Sequence, residues 1–239
     1  MTTMVRILLG ICLLFITGTF AQEFQGIATY KTSRKMDFKL DSTQVNAGMH
    51  DQIQAMLAKQ FQKEFELAFS KEASVYKEVE KLDEPQPMGV QVMVMGAGGS
   101  DILYKNIKEK RFANQNELMG KIFLVKDELK KPEWKLTNEK KNIGEYTCYK
   151  ATYTSEITEM RSMTIGSDAE EENMEEQTRE ITITAWYTLE IPVSNGPSRY
   201  WGLPGLILEA NDGSETIVCS KIVINPKNKV KISEPEKGK

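Results

Sequence analysis

The sequence predicts an α+β domain, built mostly from one curved, half-barrel-like antiparallel sheet with one long helix near the N-terminus. Apolar residues recur at every second position along most of the chain, which is typical of strands. One segment, "NAGMHDQIQAMLAKQFQ", instead repeats them at every fourth position, at Met49, Ile53, Leu57 and Phe61. Because a sheet with one apolar face needs a covering layer, we expect this amphipathic helix to pack on it.

The N-terminus has the pattern of a secretory signal peptide. Arg6 precedes an apolar run over residues 7–16, and Thr19 and Ala21 supply the small residues of a cleavage site. The run is too short to span a bilayer. We therefore expect residues 1–21 to be removed, leaving a periplasmic or secreted domain of residues 22–239 without a transmembrane anchor.

The strands are predicted in chain order, starting with "EFQGIATYKTSRKMDFKL" before the helix. After the helix the apolar period drops from four to two at Phe65, Leu67 and Phe69, and alternation resumes at Val75 beyond the turn "SKEA", which indicates a hairpin. "VQVMVMGAGGSDILYKNI" predicts a strand with a glycine-rich interruption. Further strands are predicted at residues 121–125, 134–137, 144–153, 180–190, 206–210 and 216–224.

Two connections between the later strands differ in character. Residues 211–214, "NDGS", predict a tight hairpin because Asp-Gly accepts the positive φ that such turns require. Residues 157–178 include most of "SDAEEENMEEQTRE" (residues 167–180), an acidic run that predicts a solvated excursion between two strands. With no repeat or linker elsewhere, we expect a single domain carrying this insertion.

The stretch "RYWGLPGLILEAN" places two glycines and a proline inside an apolar run. A residue before proline is pushed to an extended conformation, and proline fixes φ near −65°. Pro204 and Gly205 therefore predict a type II turn in which Gly205 takes positive φ. The proposed structural turn comprises Gly202, Leu203, Pro204, Gly205, Leu206 and Ile207.

These six residues read "GLPGLI", and the chain resembles the GLPGLI family of exported proteins from Gram-negative bacteria. Residues 134–153 and 185–209 resemble the family's blocks almost throughout, and residues 65–78 resemble its early hairpin. The acidic insertion is longer than expected between those blocks. The resemblance implies export and a fold, but no activity and no catalytic residues.

Two of the three cysteines, Cys148 and Cys219, lie beyond the signal peptide. An exported protein meets an oxidising compartment, which favours one disulfide between them. Two buried, unpaired thiols that pack as small apolar residues are the alternative.

The composition contains little that predicts catalysis. The chain has 31 basic and 34 acidic residues, a net charge of −3, so nothing indicates the basic face of a nucleic-acid-binding protein. His50 is the only histidine, and no nucleophile motif accompanies it. We therefore expect no catalytic residues, no cofactor and no enzyme activity.

A metal site built from methionines is a weaker alternative. Met93 and Met95 share one face of a predicted strand, and Met160 and Met163 lie three residues apart. Thioether sulfur suits Cu(I), although methionine is also a common filler of irregular apolar gaps. The aromatic residues Trp186, Tyr187, Tyr200 and Trp201 could likewise anchor a ligand or simply pack in the core.

Two functional hypotheses follow from these features. The first is a non-enzymatic binding module that holds an apolar ligand between the helix stripe, Met49, Ile53, Leu57 and Phe61, and the sheet. The second is an accessory protein that binds an outer-membrane or periplasmic partner through the acidic insertion or an exposed sheet edge. A sizeable apolar cavity would favour the first, and a filled core with a surface patch the second.

Overall fold

The computed structural model describes residues 24–34, 62–79, 101–118, 120–161 and 175–238. These residues form eleven strands of one antiparallel sheet. The strands are β1 (Gln25–Arg34), β2 (Glu64–Ser70), β3 (Ala73–Glu78), β4 (Ile102–Asn106), β5 (Arg111–Leu118), β6 (Lys121–Glu128), β7 (Lys135–Ile143), β8 (Tyr146–Arg161), β9 (Glu175–Thr188), β10 (Leu206–Asn211) and β11 (Glu215–Ile224).

The sheet consists of two meanders joined side by side. Strands β1 to β6 follow each other in space as in the sequence, and so do β7 to β11. The pairing of β1 with β11 joins the two sets, which leaves β6 and β7 as the two edges. We call the end of the sheet where β1 ends and β2 begins the upper end, and the opposite end the lower end.

The connection between β6 and β7 requires the sheet to curl. Eleven strands in a flat sheet would place its edges about 48 Å apart. Yet Glu128 ends β6 and Lys135 begins β7, and a fully extended chain of this length reaches only about 24 Å. The two edges must therefore approach each other, so the sheet encloses an inner face.

A long loop fills that inner face. Residues 189–205, here called the motif loop, contribute a set of buried side chains to the main core: Ile191, Val193, Tyr200 and Leu203. The hydroxyl of Tyr30 on β1 donates to the Ile207 carbonyl just after the loop, at 2.7 Å. The Asn195 amide donates to the Ser70 carbonyl at 3.0 Å. The motif loop thus packs against the first meander as well as the second.

The outer face of the first meander is covered by the C-terminal segment. Tyr104 and Ala113 are buried on this face in a small cluster against which Ile232 packs. Glu234 forms ion pairs with Arg111 at 2.6 Å and with Lys126 at 2.8 Å. The segment is therefore held to β5 and β6 by both apolar and ionic contacts.

The predicted α+β class is wrong, because the described residues form an all-β structure without a helix. The predicted helix at residues 46–62 lies outside the described residues except for Gln62, and the predicted signal peptide lies outside them entirely. The physical reason is that a single long helix is not needed as the covering layer. The motif loop covers the inner face, and the C-terminal segment covers part of the outer face.

Most of the predicted strands are confirmed. The hairpin of β2 and β3, the strand β1 and the last hairpin all form, and Gly213 has φ of +93° in the "NDGS" turn. Strand β5, "RFANQNEL", was missed because three amide residues and alanine give it little apolar alternation. The β8 and β9 ladder also continues into the acidic stretch, as far as the pair Arg161 and Glu175.

The prediction of a type II turn assigned positive φ to the wrong glycine. Gly202 has positive φ, at +95°, whereas Gly205 does not. Gly205 is instead restricted by space, because a Cβ there would lie 1.9 Å from the Thr188 carbonyl oxygen at the end of β9. The two glycines of the motif therefore serve different needs, a left-handed backbone and a close backbone approach.

We expect Gly205→Ala to destabilise the protein by about 3 kcal/mol or more, because the obstructing atoms belong to backbone and the strand itself must shift. Gly202→Ala should cost less, about 1 to 2 kcal/mol, since it adds only the strain of a left-handed conformation and touches the flexible Lys131 side chain. Chemical denaturation of both variants checks this order. A Gly205→Ala protein as stable as the parent would show that the close contact is absent.

Candidate functional site

A buried lysine fixes the motif loop to the sheet. Lys105 on β4 has no exposed surface, and its side chain lies on the inner face. Its ammonium donates to three loop carbonyls, those of Gly196 at 2.8 Å, Ser198 at 2.7 Å and Tyr200 at 3.2 Å. All three ammonium protons therefore have acceptors from one short stretch of loop.

The electrostatics of Lys105 combine two opposing effects. Burial lowers its pKa to about 7, because removing the ammonium from water disfavours the charged form. The three carbonyls favour the charged form, since a neutral amine offers only two donors. The sequence contained a signal for this residue, because Lys105 lies two residues after Leu103 in the apolar strand "ILYKN" and therefore shares its face. The sequence did not indicate which groups accept the hydrogen bonds of the lysine.

At the upper end of the enclosed inner face, the described residues form a groove of about 210 Å³, which we call the upper groove. Its floor and walls come from β1 to β5, β11 and the motif loop. The lining residues are Thr32, Phe65, Tyr76, Asp101, Leu103, Asn114, Asn116, Ser198, Glu215 and Ile217. Mouths of curled sheets are common ligand sites because they combine an apolar floor with a polar rim.

Stacked aromatic rings form part of the groove floor. Phe65 and Tyr76 lie parallel, with ring centroids 4.9 Å apart and an interplanar angle of 7°. The rings of Tyr30 and Tyr76 are in an edge-to-face arrangement, with centroids 6.3 Å apart. Since the Tyr30 hydroxyl also donates to the Ile207 carbonyl on β10, the floor is connected to the core.

Several charged side chains near the upper groove act on the carboxyl of Glu215, the first residue of β11. Burial raises the pKa of its carboxyl, and Asp212 adds to the effect. Arg34 and Arg199 act in the opposite direction, since nearby positive charges favour the carboxylate. Burial also raises the pKa of Tyr76, with a further contribution from Glu215. Glu215 is therefore a half-buried carboxyl whose charge is incompletely compensated.

A second depression, of about 330 Å³, lies at the lower end and is here called the lower cleft. Strands β10 and β11 pair only over residues 209–211 and 216–218, so they separate below that point and leave a gap. The lining residues are Ile143, Gly144, Glu145, Tyr146, Leu208, Cys219, Ser220, Lys221 and Ile222.

The predicted disulfide is not present, and Cys148 and Cys219 are free thiols. Their strands, β8 and β11, are separated in the sheet by β9 and β10. The Cys148 thiol donates to the Tyr146 carbonyl at 3.7 Å and the Cys219 thiol to the Lys221 carbonyl at 3.5 Å. Burial raises the pKa of Cys148 to about 11 and that of Cys219 to about 12, so both remain protonated at neutral pH.

Several predicted site residues cannot be compared with the structure. The helix stripe Met49, Ile53, Leu57 and Phe61 lies outside the described residues, as do His50, Met93, Met95 and Met163. Met160 lies on β8 opposite Glu176, but its side chain is not described. The metal alternative therefore stays a prediction.

The predicted aromatic cluster is mostly core. Tyr187, Tyr200 and Trp201 are buried, whereas Trp186 is only partly buried and contacts the Lys141 ammonium at 4.4 Å from its ring. The Trp201 indole donates to the Lys130 carbonyl at 3.2 Å, and the Trp134 indole donates to the Trp201 carbonyl at 2.8 Å. These rings hold the β6–β7 connection against the motif loop.

Within the described part of the chain, no three His, Cys, Asp or Glu side chains are grouped as a metal site would require. The described residues also contain no helix of the length and apolar character needed to cross a membrane.

Residues 134–209 match a family model described as a protein of unknown function (Porph_ging). The matched segment begins before β7 and ends within β10, so it includes the whole motif loop. The match is compatible with the GLPGLI resemblance but does not confirm it. No curated protein sequence matches the chain.

Solved structures of PNGF-II show a partial similarity. Alignment to the structure in the C2 space group has a TM-score of 0.48 and 16% identity over 85% of this chain. The structure in the P21 space group gives 0.47 and 18% over 84%. In both cases the chain covers only 28% of the PNGF-II chain, and similarity at this level supports no functional inference.

We expect Lys105→Met to destabilise the protein by about 2 to 4 kcal/mol. Three buried loop carbonyls would lose their hydrogen-bond donor, and water could not replace it. Lys108→Met is the matched control, since Lys108 lies three residues away with an exposed ion pair to Glu72 and should tolerate the same change with little effect. Thermal and chemical unfolding measure both. Equal stability of the two variants would contradict the role given to Lys105.

We expect Glu215→Gln to stabilise the protein at neutral pH, because the raised carboxyl pKa means that the folded state holds the charge at a cost. The sign follows from linkage: the cost is present above the folded pKa and disappears as pH falls below the ordinary value of 4.5. The advantage of the variant should therefore be seen at pH 7.5 and be lost near pH 4.

Glu209→Gln is the control of opposite sign. Glu209 lies in the same final hairpin but forms an ion pair with Lys141 at 2.7 Å, so its neutralisation should lower stability at pH 7.5 by up to about 1 kcal/mol. Melting temperatures across the pH range distinguish the two. If both variants shift stability in the same direction, the charge environment assigned to Glu215 is incorrect.

Proposed function

We propose that this protein is an exported, non-enzymatic binding module and that the upper groove holds its ligand. The observation that carries the proposal is the composition of that groove, a floor of stacked aromatic and aliphatic side chains with a rim of amides and carboxyls. Sites with an apolar lining and a few placed polar groups are typical of ligand binding.

The lining favours a ligand with one apolar face and a hydrogen-bonding edge. Phe65, Leu103 and Ile217 supply apolar contact at the floor. Asn114 and Asn116, side by side on the inner face of β5, supply amide donors and acceptors. A purely apolar chain would leave these amides without partners, so the ligand expected from the sequence must be extended to one that also carries polar groups.

The middle of the inner face is tightly packed around the motif loop. A Cβ added at Gly196 would lie 2.8 Å from both the Ile207 Cβ and the Tyr200 carbonyl oxygen, so the motif loop is in close contact with β10. A ligand must therefore be held at an end of the enclosed sheet. The predicted stripe of Met49, Ile53, Leu57 and Phe61 lies outside the described residues, so this proposal does not use it.

The lower cleft is the weaker candidate. Its one thiol, that of Cys219, has a raised pKa and is protonated at neutral pH, which argues against a reactive thiol site. It also lacks stacked aromatic rings among its lining residues. Binding at the upper groove is therefore the better supported function.

An accessory role toward an outer-membrane or periplasmic protein is the second candidate. Exposed apolar side chains on the edge strand β6 support it, since such patches mark interaction surfaces. This surface is separate from the floor of the upper groove, so the two functions do not exclude each other.

The groove proposal is tested by native mass spectrometry of protein purified without detergent, followed by extraction of any bound molecule. We expect one bound molecule per chain, or uptake of a fluorescent fatty-acid probe by the empty protein. Asn114→Trp should abolish binding because the indole fills the groove, while circular dichroism shows that the protein remains folded.

Asn138→Trp provides the matched control, since Asn138 is exposed on β7 and away from the groove. It should bind as the parent does. An empty parent that takes up no probe, or an Asn114→Trp variant that binds like the parent, would reject the upper groove as the site.

A further inference from the structure

Two asparagines of β5, here called the amide ledge, form part of one wall of the upper groove. Asn114 and Asn116 lie two residues apart on the inner face, and both line the groove. Among the residues that the structure describes, neither side-chain amide has a hydrogen-bond partner. Each amide offers a carbonyl acceptor and two N–H donors. The ledge therefore presents two unused amides to a molecule that enters the groove.

Apolar side chains border the amide ledge on both sides. Asn114 lies opposite Leu103 on β4 and opposite Val125 on β6. Asn116 lies opposite Phe123 on β6. Directly opposite residues of an antiparallel pair point to the same face, so all of these side chains lie on the inner face. The ledge is thus a polar strip between Leu103 and the two side chains of β6, which we call the apolar shelf.

The apolar shelf is accessible although the C-terminal segment passes the edge of β6. A Cβ added at Gly238 would lie 2.8 Å from the backbone nitrogen of Leu124, so this segment packs on the edge at that point. With the segment in place, Phe123 is 40% exposed and Val125 is 49% exposed. Within the described residues, the shelf is therefore covered at the sheet edge but not on the inner face.

The spacing of the amide ledge equals that of an extended peptide. Residues two apart on a strand are separated by about 6.8 Å, and so is every second residue of an extended peptide. The N–H and C=O of one such residue point to the same side, and those of the next residue point to the opposite side. Asn114 can therefore bind the N–H and C=O of one peptide residue, while Asn116 binds those of the residue two positions away.

The charges of the upper groove favour a basic group in this peptide. The described residues that line it include the carboxyls of Asp101 and Glu215, and no lysine or arginine. The Asp101 carboxylate accepts from the backbone N–H that follows Asn116 in the chain, at 3.2 Å, so it is held beside the ledge. Arg34 and Arg199 act on the Glu215 carboxyl, but neither of them lines the groove. Complementary charge selects partners of the opposite sign.

We propose that the upper groove binds an extended peptide segment in which apolar and basic residues alternate. This ligand class rests on the proposed function, since it concerns the same groove. The backbone groups of two apolar residues bind the amide ledge, and their side chains contact Phe123 and Val125. The basic residue between them points to the other side, toward Asp101. Successive side chains of an extended chain alternate in direction, so one arrangement satisfies the ledge, the shelf and the carboxylate together.

Two capped, fluorescein-labelled heptapeptides test the chemistry of the ligand: Gly-Val-Lys-Val-Lys-Val-Gly and Gly-Val-Glu-Val-Glu-Val-Gly. Fluorescence anisotropy with up to about 500 μM of the purified protein should detect binding of the lysine peptide. The glutamate peptide has the same length and apolar content but brings like charge to Asp101. We expect it to bind at least about tenfold more weakly. Equal binding of the two peptides would overturn the proposal.

Backbone N-methylation tests the hydrogen bonds to the amide ledge. Methylation of the valine nitrogens removes the donors that face Asn114 and Asn116, and it should weaken binding of the lysine peptide by about tenfold. Methylation of the lysine nitrogens, which face away from the ledge, should change the Kd by less than about threefold. Equal effects of the two modifications would show that the peptide does not bind along β5 in this orientation.

Substitutions in the protein provide the complementary measurement. Asn114→Leu and Asn116→Leu should each weaken binding of the lysine peptide by about five- to tenfold, because each side chain keeps its size but loses its amide. Asn138→Leu, at an exposed position of β7, is the matched control and should bind as the parent does. Asp101→Asn should reduce the preference for the lysine peptide by about threefold. Circular dichroism shows whether each variant is folded.

Failure of the peptide ligand and failure of the groove itself give different results. If the parent binds neither peptide but carries a co-purified molecule that Asn114→Trp loses, the groove is a binding site for another class of ligand. If the parent binds no peptide, carries no molecule and takes up no fatty-acid probe, the groove proposal fails as well. Either result overturns the peptide ligand, including the case in which another segment of this chain occupies the groove.

Discussion

The Lys105 ammonium constrains the rest of the structure. Burying a charge is costly unless it is fully hydrogen-bonded, and here all of its acceptors are carbonyls of the motif loop. Three carbonyls must therefore converge on one point over residues 196–200, which no regular strand or helix allows. The irregular composition of this loop, with Gly196, Pro197 and Gly202, is the local consequence of that demand. A lysine on β4 thus determines the conformation of a loop some ninety residues later in the chain.

The filled interior determines where this protein can recognise anything. The motif loop and the apolar core occupy the inner face, and the two depressions that the described residues form lie at its two ends. The upper groove is the richer of these, since it combines the Phe65 and Tyr76 stack with the half-buried Glu215. Of the seven exposed large apolar side chains among the described residues, three lie on the edge strand β6: Ile122, Phe123 and Val125. The candidate binding surfaces therefore lie at the periphery of the sheet, because the close packing that stabilises the core also fills the interior.

Local patterns predicted most of the strands, though not β5, and did not predict the layer that covers them. Alternation identified β1, the β2–β3 hairpin and the final hairpin, because these depend on neighbours in sequence. The covering role of the motif loop depends on contacts such as Tyr30 with Ile207, which are 177 residues apart. The same limit explains the error at Gly205, where turn rules consider φ but the constraint is the distant Thr188 carbonyl. Of the upper groove, sequence analysis supplied Phe65 as a strand residue but not its stack on Tyr76.

The matched family segment and the folding unit do not coincide. Residues 134–209 contain the motif loop and the start of β10. The groups that form hydrogen bonds to this segment belong to the first meander: Lys105, Tyr30 and Ser70. Without them the three loop carbonyls and the Asn195 amide would lack partners, and the apolar side chains of the loop would lose the packing surface that the first meander provides. The two meanders therefore depend on each other through the loop, even though within the sheet they pair only through β1 and β11. The segment 134–209 is thus one part of a larger cooperative unit, and the site at the upper groove, formed mainly by strands outside it, belongs to that whole unit.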